Sequence, residues 1–194
     1  MTLRQEVSEV AELKPSAVIV RPSGDEDVDA MLAINLHHVR KGLDRLEAPL
    51  YEAPQKEDIR RRRKNMGNHR LPHLVAELDS IVVGYAYAVP FRKRPAYRYV
   101  VKHSIYVDSG YLRHGVGGLL LQGLIDACAA AGFRQMIGYI DASNTASLKL
   151  HKTLGFAQTG YLPTVGYKFD RWTDSVIMQR SLGAGASSPP GDKV

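Results

Sequence analysis

The sequence predicts an α/β domain in which a mixed sheet carries helices on both faces. Three observations predict it. Short β-branched runs alternate with amphipathic stretches, meandering strands come first, and a strand–helix–strand–helix–strand run follows. The chain has 194 residues, of which 44% are hydrophobic and 24% charged. That length and composition suit one folded domain with room for tails.

The first half of the chain supplies most of the strands. Residues 17–20, 71–78, 80–90 and 99–107 are β-branched or aromatic runs and predict strands, with a turn at Asp79-Ser80. Ser23 and Glu26 have the spacing of a capping box before a helix with apolar residues at helical spacing from Val28 to Val39. A second, highly charged helix is predicted over residues 55–66.

In the second half of the chain, predicted helices alternate with predicted strands. Residues 115–131 predict a helix with an apolar stripe of Val116, Leu119, Leu120, Leu124 and Cys128, capped by Gly132. A strand over 135–140 precedes a helix over 144–154 that ends at Gly155, and strands follow from Phe156 onward and over 174–179. We expect residues 1–16 to be a lead-in, 17–182 the domain, and 183–194 a disordered tail rich in Gly, Ala, Ser and Pro.

The net charge of +6 predicts an anionic partner: nucleic acid, a membrane surface or a phosphorylated small molecule. The sequence has no apolar run long enough to cross a bilayer, and its start lacks the apolar core of a secretion signal. One cysteine, Cys128, excludes an internal disulfide and a cysteine metal cage. We therefore expect a cytoplasmic protein. The seven histidines show no metal-ligand spacing, so no metal is expected.

A glycine-rich segment predicts an anion site. Val107 ends a strand, and Gly115, Gly117 and Gly118 then open a helix. Glycines expose backbone N–H groups, and a helix N-terminus adds partial positive charge, so a pyrophosphate fits there. Arg113 and His114 add cationic side chains at its edge. The alternative is a plain strand-to-helix connection. The Walker pattern is absent, and so is a good dinucleotide fingerprint.

A second helix start carries a polar stripe. Asn144, Ser147 and His151 stand at i, i+3 and i+7, which places them on one helix face, whereas Leu150 and Leu154 face the core. A solvated face with a structural histidine is the ordinary reading of such a stripe. Because this helix also follows a strand, both helix starts are expected to flank one crevice.

Taken together, these segments resemble the GCN5-related N-acetyltransferase superfamily, and within it the phosphinothricin acetyltransferase-like branch. The resemblance covers residues 17–182. Its landmarks are Gly-Tyr-Ala-Tyr at 84–87, Phe-Arg at 91–92, Pro-Ala-Tyr-Arg at 95–98, His-Ser-Ile-Tyr-Val at 103–107, Leu-His-Lys-Thr-Leu-Gly-Phe at 150–156, Val-Gly-Tyr-Lys-Phe-Asp-Arg-Trp-Thr-Asp at 165–174 and Met-Gln at 178–179.

The resemblance implies a mostly antiparallel central sheet and transfer of an acetyl group from acetyl-CoA to a primary amine by direct attack in a ternary complex. It implies a homodimer with the C-terminal segment near the interface. It also implies cofactor contacts. The backbone of Ile105, Tyr106 and Val107 pairs with pantetheine, the loop of Arg113, His114, Gly115, Val116, Gly117 and Gly118 holds the pyrophosphate, and Asn144 and Ser147 lie beside the pantetheine. His151 is the candidate acid for the departing thiolate.

Two residues depart from the branch's pattern. Leu112 stands where the superfamily loop begins with Gln or Arg, and Lys102 stands where the branch has the glutamate presumed to be the general base. An ammonium group accepts no proton unless its own is first removed. We therefore expect deprotonation through His103 or an ordered water, or an amine that binds already neutral. On a regular strand His103 and Lys102 point to opposite faces; a bulge would change that.

Lys102 with Arg92, Lys93 and Arg94 would make the substrate pocket cationic. The hypothesis is a small anionic amine, amino-acid-like, of the phosphinothricin or methionine sulfoximine type, with its carboxylate on Arg92 or Lys102. The alternative is a solvated basic loop.

Two other functions are weighed. A degenerate acyl-CoA sensor would follow from loss of the glutamate. The basic run Arg60 to Lys64 would suit nucleic acid, but no aromatic residues interleave with it, and an exposed helix face with Ile59 and Met66 inward is favoured. No nucleic-acid or membrane partner is therefore expected. Tyr85, Tyr87, Tyr97 and Tyr99 are pocket-wall or sheet residues, and Trp172 is a packing or dimer-contact residue.

Overall fold

The computed structural model describes residues 17–41, 55–168 and 170–190. The strands are β1 (Ile19–Pro22), β2 (His73–Leu78), β3 (Ile81–Pro90), β4 (Val100–Val107), β5 (Gln135–Asp141), β6 (Ala157–Lys168) and β7 (Arg171–Ser181). The helices are α1 (Val28–Lys41), α2 (Lys56–Asn68), α3 (Val116–Ala130) and α4 (Thr145–Thr153). Short 3-10 turns occupy Asp25–Asp27, Pro95–Tyr97 and Ser109–Tyr111.

In the described part of the chain the strands form one seven-stranded sheet in the order β1-β2-β3-β4-β5-β7-β6. Neighbouring strands are antiparallel except β4 and β5, which are parallel. The predicted mixed, mostly antiparallel α/β fold is confirmed. The parallel pair comes from the strand–helix–strand run, because α3 is the crossover that connects β4 to β5.

The helices lie on both faces of the sheet, as predicted. Tyr85 of β3 receives a hydrogen bond from Asn35 of α1 (Nδ2 to Oη, 2.8 Å). Its neighbour Gly84 points to the opposite face, where it lies against Val116 and Leu120 of α3. One face therefore carries α1 and α2, and the other carries α3 and α4.

The turn between β2 and β3 has the predicted place and a clear chemical reason. Asp79 and Ser80 have φ angles of 50° and 64°, and two positive values in succession are those of the type I′ hairpin turn. The predicted capping box is wrong by one residue. Gly24, not Ser23, precedes the 3-10 turn, and its N–H donates to Asp27 Oδ2 at 2.7 Å in place of Glu26. Asp27 is the better acceptor because Arg21 also binds it (Nη1 to Oδ2, 2.8 Å).

The core stripe of α3 differs from the prediction at one position. Leu119 is 47% exposed, and Leu121 and Ile125 are buried in its place. The helix packs across several strands of the sheet, and its first turn also meets Leu150 of α4, so its buried face is wider than one narrow stripe. Cys128 is fully buried, as expected of an inert core residue, and burial raises the pKa of its thiol to about 12.

The predicted domain limits stay predictions. Residues 1–16 lie outside the described residues, as do 191–194. Residues 183–186, at the start of the segment predicted as a tail, form turns, and Gly185 N–H donates to Leu182 O at 2.8 Å. Arg134 also donates to Pro189 O at 3.3 Å.

Among the described residues, no helix combines the length and apolarity needed to cross a membrane. In the same residues, no three His, Cys, Asp or Glu side chains are grouped so that they could hold a metal ion.

Gly84 tests how closely α3 packs on the sheet. A Cβ atom there would lie 2.9 Å from Leu120 Cδ1 and 2.9 Å from Tyr106 O. Because the carbonyl belongs to the backbone, Gly84→Ala should lower the free energy of unfolding by roughly 1–3 kcal/mol in urea titrations. Gly67→Ala in α2 is the matched control, since nothing lies within 4 Å of its Cβ position. It should leave stability unchanged or raise it by up to about 1 kcal/mol. Equal losses in the two variants would contradict the close packing.

Candidate active site

The site begins where the two parallel strands part. In the described residues β4 pairs with β5 over Val100–Lys102 only, whose partners are Gln135–Ile137. β4 nevertheless runs on to Val107 and stays paired with β3, while β5 runs on to Asp141 paired with β7. From residue 103 onward the strands therefore diverge into a V-shaped cleft. This is the carboxyl end of a parallel pair, the usual place for a ligand in such sheets.

The β4 edge of the cleft presents backbone hydrogen-bonding groups. Asp108 N–H donates to Val83 O at 2.9 Å, and alternate residues of an antiparallel pair carry such bonds. Ile105 and Val107 therefore turn their backbone groups toward the cleft, whereas Tyr106 turns its own toward β3. His38 of α1 donates from Nε2 to Val107 O at 2.8 Å, which leaves the Val107 N–H and both groups of Ile105 on the open edge.

The N-terminus of α3 lies at the mouth of this cleft, because α3 follows β4. Gly115 caps the helix with φ at +79°, a conformation that favours glycine. The first hydrogen bond of the helix runs from Leu119 N–H to Gly115 O at 3.1 Å, so the N–H groups of Val116, Gly117 and Gly118 have no partner within the helix. The predicted anion site therefore has a set of amides without helical partners at this helix start, while its use for an anion stays a prediction.

The two cationic side chains of this loop are exposed. Arg113 has φ at +66°. His114 donates from Nδ1 to Leu112 O at 2.9 Å, which fixes its ring against its own turn and leaves Nε2 outward. Gly117 has a packing role as well, because its Cβ position lies 3.3 Å from Leu150 Cδ2.

α4 follows β5 as α3 follows β4, and Leu150 of α4 lies against Gly117 in the first turn of α3; the shared crevice stays a prediction. Asn144 caps α4 by accepting from Ser147 N–H at 3.0 Å, which leaves its side-chain NH₂ for a ligand. The predicted polar stripe is real. Ser147 Oγ lies 3.4 Å from His151 Nδ1, and Ser147 O accepts from that nitrogen at 2.8 Å.

His103 and His151 meet at the apex of the cleft. Their Nε2 atoms are 2.8 Å apart, and His103 Nδ1 lies 3.1 Å from Ile137 O on β5. Burial lowers the pKa of both rings. Gly138 makes the contact possible, because a Cβ there would lie 2.8 Å from His103 Cε1. Neither nitrogen of His151 is left for a ligand in this arrangement, since one meets Ser147 and the other meets His103.

Lys102 and His103 face opposite sides of the sheet. The pairing of β3 with β4 is continuous from Gly84↔Val107 to Pro90↔Val101, so no bulge between them turns one residue to the other's face. Lys102 shares the α1 and α2 face with Ser104. No carboxylate of the described residues forms an ion pair with Lys102.

The basic loop between β3 and β4 lies at the opposite end of β4 from the α3 N-terminus. Its side chains at 92–94 are exposed. The Arg92 guanidinium stands over two aromatic rings, 5.2 Å from the centroid of Phe91 and 5.2 Å from that of Tyr97. Lys93 and Arg94 form no ion pair with a described residue. The structure therefore orients Arg92 but does not bring these three side chains together with His103 and His151.

The basic run of α2 is largely used within the protein. Ile59 and Met66 are buried, as predicted. Ion pairs join three of its arginines to carboxylates: Arg60 to Glu57, Arg61 to Asp58 and Arg63 to Asp25. Arg62 differs, because it turns inward and donates to Tyr87 Oη at 2.9 Å.

Arg62 covers an aromatic stack that sequence reasoning described only in part. His73, Tyr85, Tyr87 and Tyr106 stack on the α1 and α2 face, with ring centroids of neighbours 4.9–6.5 Å apart. Period-two alternation in β3 marks the two tyrosines of that strand, but nothing local indicates His73, Asn35 or Arg62. These residues meet only through sheet pairing and helix packing.

The chain matches a family model described as "Acetyltransferase (GNAT) family" over residues 40–156. It is also 43% identical to the phosphinothricin N-acetyltransferase of Alcaligenes faecalis over 92% of this chain and 90% of that protein. The chain belongs to the GNAT acetyltransferase family. It is 41% identical to the L-methionine sulfoximine/L-methionine sulfone acetyltransferase of Salmonella typhimurium, over 57% of this chain and 65% of that protein.

A solved structure supports the same family assignment. The phosphinothricin acetyltransferase from Sinorhizobium meliloti in complex with acetyl-CoA superposes with a TM-score of 0.83 at 32% identity, covering 93% of this chain and 96% of that one. The protein is thus an acetyl-CoA-dependent N-acetyltransferase. Its residues fit acetyl-CoA: free amides at the α3 N-terminus suit a pyrophosphate, and the open β4 edge suits an amide-containing arm.

His73 makes the aromatic stack sensitive to pH. Burial, with Arg63 and Arg62 nearby, lowers the pKa of His73 to about 4, against 6.5 for an unperturbed ring. The unfolded chain therefore binds a proton at a pH where the folded one does not, and stability falls as pH drops from about 7 toward 4.

His73→Phe keeps the stacking and removes this titration. The variant should lose roughly 3 kcal/mol less than wild type between pH 7 and pH 4, measured by urea unfolding at each pH. The other histidines are common to both proteins and cancel in the comparison. Identical pH slopes would contradict the burial of a neutral ring.

Proposed function

We propose that this enzyme acetylates a small amine carrying an anionic group, an amino-acid-like substrate of the phosphinothricin or methionine sulfoximine type. The observation that carries the proposal is the parting of β4 and β5 after Lys102, with the α3 N-terminus at its mouth. The names of the relatives described above support the substrate class, because they act on phosphinothricin and on methionine sulfoximine.

Acetyl-CoA would lie along the β4 edge of the cleft. We place the pantetheine against the backbone of Ile105 and Val107, with Tyr106 as the residue between them. The pyrophosphate would lie on the amides of 115–118, with Arg113 and His114 beside it, and Asn144 and Ser147 would face the arm from α4. The outward amides and the unpaired edge support this placement.

The amine would attack the thioester directly in a ternary complex. A covalent acetyl-enzyme requires an accessible nucleophile, and the only cysteine of the chain, Cys128, is fully buried with the pKa of its thiol raised to about 12. Initial-rate lines that intersect when acetyl-CoA and amine are both varied would support a ternary complex. Parallel lines would indicate an acetyl-enzyme and contradict it.

The anionic group of the substrate would pair with Lys102 or Arg92. Lys102 is half-buried at the point where the strands part, and it forms no ion pair with a carboxylate in the described segments, so its charge is free for a ligand. Arg92 is held over Phe91 and Tyr97, and Lys93 and Arg94 add positive charge to the same loop. Loss of the branch's glutamate at 102 leaves the substrate's deprotonation to His103, a water or a pre-neutral amine.

Lys102→Met tests this pairing, because methionine keeps the length and removes the charge. We expect KM for an amino acid to rise roughly tenfold, and KM for the corresponding neutral amino amide to change by less than about twofold, in a steady-state thiol-release assay. Arg98→Gln is the control, since Arg98 is an exposed cationic residue of the β3–β4 loop and its guanidinium lies over Tyr99. Equal rates with acidic and neutral amines, unaffected by Lys102→Met or Lys102→Glu, would overturn the proposal.

The alternative is an acyl-CoA sensor without catalysis. Thiol release across a panel of amines, with acetyl-CoA binding measured by calorimetry, separates the two functions. Turnover on any amine supports the enzyme, whereas binding of acetyl-CoA without turnover supports the sensor. A role at nucleic acid receives no support, because three arginines of the α2 run are paired with carboxylates.

We also propose a cytoplasmic homodimer. The tip of the β6–β7 hairpin exposes Trp172 (63%) and Tyr167 (53%), whose rings contact each other with centroids 5.3 Å apart. An exposed aromatic pair of this kind suits an interface with a second copy of the chain.

Trp172→Glu should shift the mass measured by size-exclusion chromatography with light scattering from dimer to monomer. Ile81→Glu, at an equally exposed residue (55%) at the start of β3, should leave the mass unchanged. A wild-type monomer at micromolar concentration, or a Trp172→Glu dimer, would contradict this interface.

A further inference from the structure

The His103–His151 pair makes more hydrogen bonds than two neutral rings have protons for. Three contacts hold the pair: Nε2 to Nε2 at 2.8 Å, His103 Nδ1 to Ile137 O at 3.1 Å, and His151 Nδ1 to Ser147 O at 2.8 Å. Both outer partners are carbonyl oxygens, which only accept, so each Nδ1 has to donate. Two neutral imidazoles carry two ring protons in total, and the outer contacts use both.

No neutral combination of tautomers satisfies the three contacts. With both protons on Nδ1, two bare Nε2 lone pairs face each other. Moving one proton to Nε2 forms the middle bond but turns an Nδ1 lone pair toward Ile137 O or Ser147 O. For His151 the Ser147 hydroxyl offers partial relief at 3.4 Å, yet the carbonyl remains at 2.8 Å. One added proton removes every conflict, because three protons then serve three bonds.

We propose that His103 and His151 act as one acid unit, which holds a single proton between their Nε2 atoms and gives it to the CoA sulfur as the acetyl group leaves. The use of the proton rests on the proposed function; its existence does not. In the step, the nitrogen–carbon bond forms, the carbon–sulfur bond breaks, and the sulfur leaves as a thiolate that takes the proton. The acetylated nitrogen then returns a proton to the pair.

The proton donor is the pair rather than His151 alone, because the donor has to reach the cleft where the CoA sulfur would lie. Both rings have both nitrogens engaged, but His151 is 1% exposed, whereas His103 is 9% exposed and lies on β4 at the first residue beyond the paired stretch. A proton therefore reaches the cleft by way of His103. His151 and Ile137 O act as positioning groups that hold the His103 ring between β4 and β5.

The surroundings limit the pair to one proton. The residues in contact with the rings are Ile137 and Gly138 of β5, Ser147 of α4 and Phe156 before β6. None of them is ionisable, so among the described residues the only titratable group facing each ring is the other ring. Burial lowers the pKa of both rings, and His151 lowers that of His103 further; once the pair holds one proton, its positive charge opposes a second. The pair consequently titrates as a unit.

Nitrogen-15 NMR of histidine-labelled free enzyme tests the shared proton. We expect the ring nitrogens of His103 and His151 to shift together in one titration step. In His103→Leu, which removes the acceptor, His151 should take up its proton at a pH at least about one unit lower. His103→Asn keeps an acceptor oxygen and should fall between. If repulsion and burial alone governed the rings, removing His103 would raise the pKa of His151, and that result would overturn the proposal.

Gly138→Ala keeps both imidazole rings, and it is the second test of the shared proton if His103→Leu does not fold. Its Cβ would displace His103, so the joint step should split into two separate titrations while circular dichroism stays that of the wild type. A joint step that survives the substitution would contradict the shared proton.

Thiol release against pH tests the use of the proton. The kcat of wild type should fall as pH rises through the joint step, and His103→Asn should lose that limb with little change in KM for acetyl-CoA. A profile unchanged by His103→Asn would leave only a structural role for the pair and overturn its use as an acid. A joint step without turnover on any amine would overturn the proposed function and leave the shared proton standing; turnover with independent rings would do the reverse.

Discussion

The parting of β4 from β5 after Lys102 is the constraint on which the site depends. Two parallel strands that stayed paired would leave no backbone groups for a ligand. Here the pairing ends at residue 102, and His103 reaches across to Ile137 O, so a side chain holds the strands together where the ladder stops. Because each strand is followed by a helix, the same parting is expected to bring the N-termini of α3 and α4 to the two sides of the cleft.

The two faces of β4 have different chemistry. Residues at 103 and 105 face the cleft side occupied by α3 and α4, and the apex there holds a buried imidazole pair. Lys102, Ser104 and Tyr106 face α1 and α2, where an aromatic stack lies beneath Arg62. Because side chains alternate along a regular strand, the adjacent residues Lys102 and His103 face opposite sides of the sheet. The charge of Lys102 is therefore not placed against the buried rings.

Much of the sheet and most helices were predictable, because period-two and helical patterns are local and turn residues are chemically specific. The Asp79-Ser80 turn and the Gly115 helix start are examples, since positive φ angles select particular residues. Errors arose where a tertiary partner decided. Asp27 rather than Glu26 caps the first turn because Arg21 binds it, and Leu119 is exposed because the path of the sheet, not the helical period, sets which side of α3 is covered.

The sequence by itself determined the family's motifs, the order of strands and helices, the glycine cradle and the identity of Lys102. Only the tertiary structure decided that His103 and His151 touch, that Arg62 donates to Tyr87 Oη, and that Lys102 faces away from the pair. The reason is separation along the chain: the two histidines are 48 positions apart in sequence, and their contact depends on where β4, β5 and α4 meet. Local patterns name the residues, whereas long-range packing gives them their partners.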